Sequence, residues 1–281
     1  RSVSRGLGDV YKRQGENIEY CRTHKVMNYF KQHSPLMKKY LEEQDVLRLI
    51  EDSLKLQSPS RVVYKIPIVF HVLHNGGPEN ISRDQIEDAV AILNRDYRLQ
   101  NQDANNVVAT FQGMPADVEV EFALATKAPN SQCFSGITRT QSPLTNDGSN
   151  GLNQVSAIIA GNNVYNQSWP GNKYLNIFVV NDAGGAAGYT TNPSVFTGSS
   201  MNNGIWILHD YVGSTGTSDT WSSRSLTHEV GHWLNLDHLW GNNNNPGNTS
   251  SCSQDDAVDD TPRCIGVTSC NVTSNLSLIH I

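Results

Sequence analysis

The sequence predicts an α/β domain with one sheet and two long helices. Four segments of strand length are rich in β-branched and aromatic residues and are bounded by Gly-, Pro- and Asn-rich turns. Within the globular part, two segments repeat apolar residues at helical spacing. Strands and helices alternate along the chain rather than falling into separate blocks, the order that lays helices against a sheet.

Taken in order, residues 25–57 are polar and Lys/Glu-rich. Leu41, Val46, Leu47, Ile50 and Leu54 recur there at helical spacing, and "SPSR" at 58–61 reads as a linker. "VVYKIPIVFHVLH" (62–74), closed by Gly76, Gly77 and Pro78, is the first strand of the globular part. In "ISRDQIEDAVAILNRDYRLQN", Ser82 is the N-cap of a helix whose buried stripe is Ile86, Val90, Leu93 and Tyr97. "VEVEFALAT" (118–126) alternates Val118, Val120, Phe122 and Leu124, as a half-buried strand does. "YLNIFVVN" is a continuously apolar, buried strand, and "GIWILHD" is a short one, expected at the sheet edge. A helix over 224–236 follows, with Leu226, Val230, Trp233 and Leu234 inward.

Composition narrows the function. A net charge of −6 points to neither nucleic acid nor an anionic membrane surface, and no apolar run is long enough to span a bilayer. There is no GxSxG elbow and no Walker loop. Of five cysteines, Cys252, Cys264 and Cys270 cluster near the C-terminus, which favours disulfides and an oxidising compartment. The odd count leaves at least one thiol unpaired. "RSVSRGLGDVYKRQ" (1–14) and "LSLIHI" (276–281) resemble translated adapter sequence. They are expected to be non-native, flanking a natural segment from about Gly15 to about Asn275 whose secretion signal lies outside it.

The chemistry concentrates in "SLTHEVGHWLNLDHLW" (225–240). His228 and His232 are four apart, so on a helix their rings lie one turn apart on the same side and can share a zinc ion at about 2.0–2.1 Å. Glu229 lies beside the metal, placed as general base for an attacking water. A third protein ligand is needed. One option is a glutamate on a later helix, but none follows Glu229 here, so it would have to lie beyond this segment; the other is His238, reachable only if the helix breaks. Asn235 is the residue to break it, because asparagine tolerates left-handed backbone. A chance HExxH in this chain is on the order of one in a hundred, so the metal outweighs an incidental histidine-rich helix. His71 and His74 in the first strand are not spaced for a shared metal and are expected to be one buried and one rim histidine.

"HEVGHWLNLDH" resembles the zinc signature of the metzincins. "SLTHEVGHWLNLDHLWG" with "CSQDDAVDDTP", "IPIVFHVLHN", "ISRDQIEDAVAILNRDYR" and "LNIFVVN" resemble, more narrowly, the pappalysin family with its ulilysin-like and cytophagalysin-like bacterial enzymes. The resemblance covers about residues 62–270. It implies a metzincin-like catalytic domain over 61–275 on a mixed twisted sheet, and a pro-segment over 15–60. It implies zinc on His228, His232 and His238, with Glu229 as general base and acid. Asn235 stands where the family has glycine. The family's methionine turn is absent, the last methionine being Met201, so the C-terminal subdomain is expected to be incomplete. The resemblance further implies calcium at Asp255, Asp256, Asp259 and Asp260, whose crowded carboxylates call for a hard cation. It implies latency through Cys21 of "YCRTH" placed on the zinc. Cys252 with Cys270 is the favoured disulfide.

The expected function is a secreted zinc endopeptidase acting on proteins or peptides, with the substrate backbone added along "GIWILHD". The rival expectations are a zinc-binding but inactive fragment, and an Asn/Gly-rich extracellular adhesion or glycan-binding module.

Overall fold

The computed structural model describes residues 19–34, 62–191, 198–241, 243–256, 258 and 260–266. The helical stripe expected at 41–54, the linker at 58–61 and both terminal extensions lie outside the described residues.

Seven strands form one sheet in the order β1-β6-β7-β5-β2-β3, with β4 also beside β2. β5 (Leu175–Val180) is buried at every residue, as its unbroken apolar run requires, and has a parallel neighbour on each side. One is β2 (Tyr64–His74), the other β7 (Gly204–Leu208). β2 is long enough to share its far edge between two strands. Its first half pairs with β3 (Val120–Leu124) and its second half with β4 (Ile137–Gln141). Strand β3 starts two residues later than the alternation predicts: Glu119 has φ +58° and Val118 is exposed.

The edge differs from expectation. "GIWILHD" contains β7, which lies between β5 and β6 with all five strand residues buried. Its continuous apolar run is the mark of an interior strand. Outside β7 lies β6 (Ala186–Thr190), antiparallel to it, which makes the sheet mixed. Its "AAGYT" has no branched aliphatic residue to announce a strand. On its outer side β6 receives β1 (Glu19–Cys21) in parallel, with Cys21 opposite Gly188. Helix α1 (Thr23–His33) follows β1 directly.

Helix α2 (Arg83–Tyr97) is capped by Ser82, whose hydroxyl accepts the Gln85 N–H, and buries Ile86, Ala89, Leu93 and Tyr97. It packs beside α4 (Ser225–Trp233), which is shorter than the 224–236 pattern. The Tyr97 hydroxyl donates to the Thr227 carbonyl at 3.3 Å, and Arg224 pairs with Asp96 at 3.4 Å. α3 (Gly151–Gly161) falls in a stretch the periodicity left irregular; its glycines and β-branched residues are weak helix formers. It lies against the opposite face of the sheet. Gly188 faces Glu229 of α4, whereas its neighbour Tyr189 brings its hydroxyl to Gly151 of α3.

His71 sits at the sheet centre, fully buried. Nδ1 is 2.8 Å from the Thr138 hydroxyl on β4 and Nε2 is 3.0 Å from the Asn176 carboxamide oxygen on β5. Burial holds it neutral, with its pKa lowered to about 4. His74 is half-buried at the strand end.

Candidate metal centre

Helix α4 is anchored by Leu226 and Val230, both in the core, which turns Glu229 and His232 inward. The helix ends in a Schellman motif. The Leu236 N–H reaches the Gly231 carbonyl at 3.0 Å and the Asn235 N–H reaches His232 at 2.9 Å. Asn235 has φ +74°, the left-handed conformation that such a stop needs. The reversal carries the chain back to His238, which is buried and stacked on Trp240 at 4.4 Å.

Three nitrogens converge. His232 Nε2 lies 3.0 Å from His228 Nε2 and 3.2 Å from His238 Nε2, and the third side of the triangle is also 3.2 Å. A tetrahedral ion bonded to three imidazoles at zinc distances holds them about 3.3 Å apart, so these residues fit that metal. The outer contacts suit it as well. The Nδ1 of His232 is 2.7 Å from the Leu236 carbonyl, and that of His238 is 3.0 Å from the Asn243 carbonyl. An N–H donated to each carbonyl leaves Nε2 as the free lone pair. Loss of hydration is the largest cause of depressed pKa at all three rings, and neighbouring imidazoles add to it. His228 is held well below its ordinary value, His232 at about 4 and His238 at about 2. Neutral imidazoles with convergent lone pairs are a cation's donor set.

Glu229 is buried beside this triangle, and burial raises its carboxyl to about 8. Gly188 makes room for it: a Cβ there would stand 3.1 Å from Glu229 Cγ. Strand β6 thus carries its glycine where the acid passes beneath.

The N-terminal segment enters the same space. Cys21, His228, His232 and His238 have ligand atoms all within 4.8 Å of one another, the one such group of metal-binding side chains among the described residues. The Cys21 thiol is 3.8 Å from Glu229 Oε2. Burial, then the charge of Glu229, pushes that thiol above its ordinary value. A cation among the imidazoles acts in the opposite sense, because it favours thiolate. Thr23 donates its hydroxyl to Glu229 Oε2 at 3.1 Å, and His24 Nε2 lies 3.0 Å from His238 Nδ1. Thr23, His24, Trp240 and Gly188 escaped the sequence reading. Adjacency to Cys21 was the only signal for the first two.

The acidic loop is less convergent. Asp255 pairs with Arg263 at 3.2 Å. The carboxyl of Asp256 is raised to about 6 by burial and by the charges of Asp255 and Asp260. Asp259 lies outside the described residues, as does Cys270. Cys252 is half-buried, and no disulfide joins the described cysteines.

Comparison with known proteins places these features in a family. A profile of the M43 peptidases, described as pregnancy-associated plasma protein-A, matches residues 159–278. A mutant of Tannerella forsythia promirolysin superposes with a TM-score of 0.63 at 31% identity, covering 86% of this chain and 76% of that one. Mature mirolysin from the same organism, solved in complex with a cleaved peptide, gives 0.58 at 33% identity, covering 73% of each chain. An extracellular metalloprotease of Colletotrichum graminicola is 36% identical over 69 residues, 24% of this chain and 25% of that protein's length.

Proposed function

The chain belongs to the pappalysin family of metzincin metallopeptidases, and on that premise we propose that it is a secreted zinc endopeptidase held latent by its own N-terminal segment. The convergence of three Nε2 atoms beside a buried carboxylate carries the reading. His228, His232 and His238 hold the zinc ion, which when bound supplies Lewis-acid activation of the attacking water and the scissile carbonyl. Glu229 accepts the water's proton and delivers it to the leaving amine as the C–N bond breaks. Cys21, at the metal position, keeps water out until the segment leaves. With β1 gone, the rim of β6 is free to receive a peptide backbone as an added strand. The extracellular relative supports secretion, and the cleaved peptide in mirolysin supports a peptide substrate. Crowding of carboxylates around Asp256 supports a calcium site at Asp255, Asp256, Asp259 and Asp260; melting in calcium against chelator tests it. The clustering of Cys252, Cys264 and Cys270 supports a disulfide in this region, with Cys252–Cys270 the proposed pair, which mass mapping under non-reducing conditions tests.

The decisive test is Glu229→Gln. Once the N-terminal segment has been released from both proteins, casein hydrolysis is expected to be about 10²–10⁴-fold or more slower in the variant while one zinc per chain is retained. A wild-type rate in that variant sinks the role of Glu229. Absence of stoichiometric metal in both proteins sinks the metallopeptidase reading and favours an incidental histidine cluster.

A further inference from the structure

Three side chains of the N-terminal segment reach the centre. His24 packs on His238. Cys21 lies with the three imidazoles, its thiol also 3.8 Å from Glu229 Oε2. Thr23, 2% exposed, lies on the acid alone. Its hydroxyl makes two hydrogen bonds of opposite sense, donating to Glu229 Oε2 at 3.1 Å and accepting the Thr190 N–H of β6 at 2.9 Å. The N–H contact orients the hydroxyl proton toward the carboxylate. It also takes a main-chain donor of β6 beyond the end of β1.

We propose that Thr23 is a second, independent lock on this centre, closing the general base with its hydroxyl while Cys21 closes the metal. This rests on the metallopeptidase reading above. A carboxylate oxygen that accepts the Thr23 proton is not available to accept a proton from water. The hydroxyl stands on Glu229 where the attacking water has to stand.

The segment around Thr23 does not depend on the thiol for its place. The Arg22 N–H donates to the Gly188 carbonyl at 3.2 Å, and the Glu19 N–H to Gly185 at 2.7 Å. The Arg22 guanidinium donates to the Gly184 carbonyl at 3.0 Å, passing so close that Gly184 has no room for a side chain. The His24 ring packs on His238 with centroids 4.7 Å apart. These contacts survive removal of the Cys21 sulfur, so Thr23 stays on Glu229 when the metal position is open. Loss of the thiol alone therefore leaves the enzyme closed. Opening requires that the hydroxyl leave too, which release of the whole segment accomplishes in one step.

The test uses the full chain loaded with cobalt(II), whose sulfur-to-metal absorption reports the thiol, and a fluorescent peptide hydroxamate as probe of the open site. Cys21→Ala is expected to lose the sulfur band yet bind the probe weakly. Cys21→Ala with Thr23→Val is expected to bind it about 10- to 100-fold more tightly, the worth of one hydrogen bond to a charged group. Cys21→Ala with Thr23→Ser, which restores a hydroxyl, is expected to return to the weak value. Thr23→Val alone is expected to keep the sulfur band, so that the segment is still docked and only the base is released. Equal probe affinity in Cys21→Ala and in its Thr23→Val double variant overturns the second lock and leaves the metallopeptidase reading standing. A chain that takes up no cobalt overturns that reading, and this one with it.

Discussion

At the centre of the sheet, His71 has each ring nitrogen against a hydrogen-bonding side chain; at the end of α4, the Nε2 atoms of His228, His232 and His238 face one another. His71 and His232 are similarly desolvated, and burial lowers each pKa to about 4. Desolvation alone therefore does not distinguish a structural histidine from a ligand. The partners do. Thr138 and Asn176 complete His71, and nothing further is required of that site. At α4 the outer nitrogens of His232 and His238 are satisfied by carbonyls while the inner ones converge, an arrangement that fits a cation.

Removing one histidine from each region sharpens the contrast. His238→Ala deletes one of the three proposed ligands; since structural zinc sites bind with roughly 10–16 kcal/mol in all, affinity is expected to fall by about 3–4 kcal/mol, or about 10²–10³-fold. Competition with a chromophoric chelator measures this, and unchanged affinity breaks the assignment of the third ligand. His71→Leu leaves Thr138 and Asn176 with buried, unmatched polar atoms and is expected to cost about 3 kcal/mol of folding stability. Its zinc affinity should stay within about twofold, because His71 takes its hydrogen bonds from Thr138 and Asn176 rather than from the three converging histidines. Denaturant unfolding and the same competition read both quantities.

Acid distinguishes them further. Native His71 has a pKa of about 4, below the roughly 6.5 of an unfolded histidine, so the unfolded chain binds the extra proton as pH falls. The stability contributed by neutral His71 is complete above about pH 6.5 and is lost progressively toward pH 4. Between pH 7 and pH 5 the stability difference between wild type and His71→Leu is expected to shrink by about 2 kcal/mol. A difference that is flat with pH rejects the buried neutral ring.

The smallest effect tests the reversal that creates the metal region. Asn235→Ala keeps the β-carbon but removes the short polar group that lets asparagine tolerate left-handed backbone and is expected to cost about 1 kcal/mol, whereas Asn235→Gly should be neutral within a few tenths. The alanine variant should also weaken zinc binding, since the same turn supplies His238 and the Leu236 carbonyl. Equal melting temperatures and zinc affinities for the alanine and glycine variants remove Asn235 from the account.

Much of the metal region was legible in the chain because its information is local. The four-residue spacing of His228 and His232 sets their common face, and a residue tolerant of positive φ three positions later sets the stop. The helix cap at Ser82 and the buried run of β5 were legible for the same reason. The position of "GIWILHD" was misread because a strand's neighbours are not encoded in its own residues. β7 is interior only because "AAGYT", weak in strand propensity, pairs outside it. The acidic loop has crowding and one ion pair but no convergence to match that of the imidazoles.

By itself, then, the sequence determined the donor set, its spacing and the broad alternation of strands and helices, because these follow from backbone geometry over a few residues. Only the tertiary structure decided that β6 lies outside β7 and that Gly188 leaves space for the acid. It alone brought Cys21 and Thr23 onto Glu229 from more than two hundred positions away. Contacts at that separation depend on strand pairing and shared burial across the whole domain, and no local period in the chain records them.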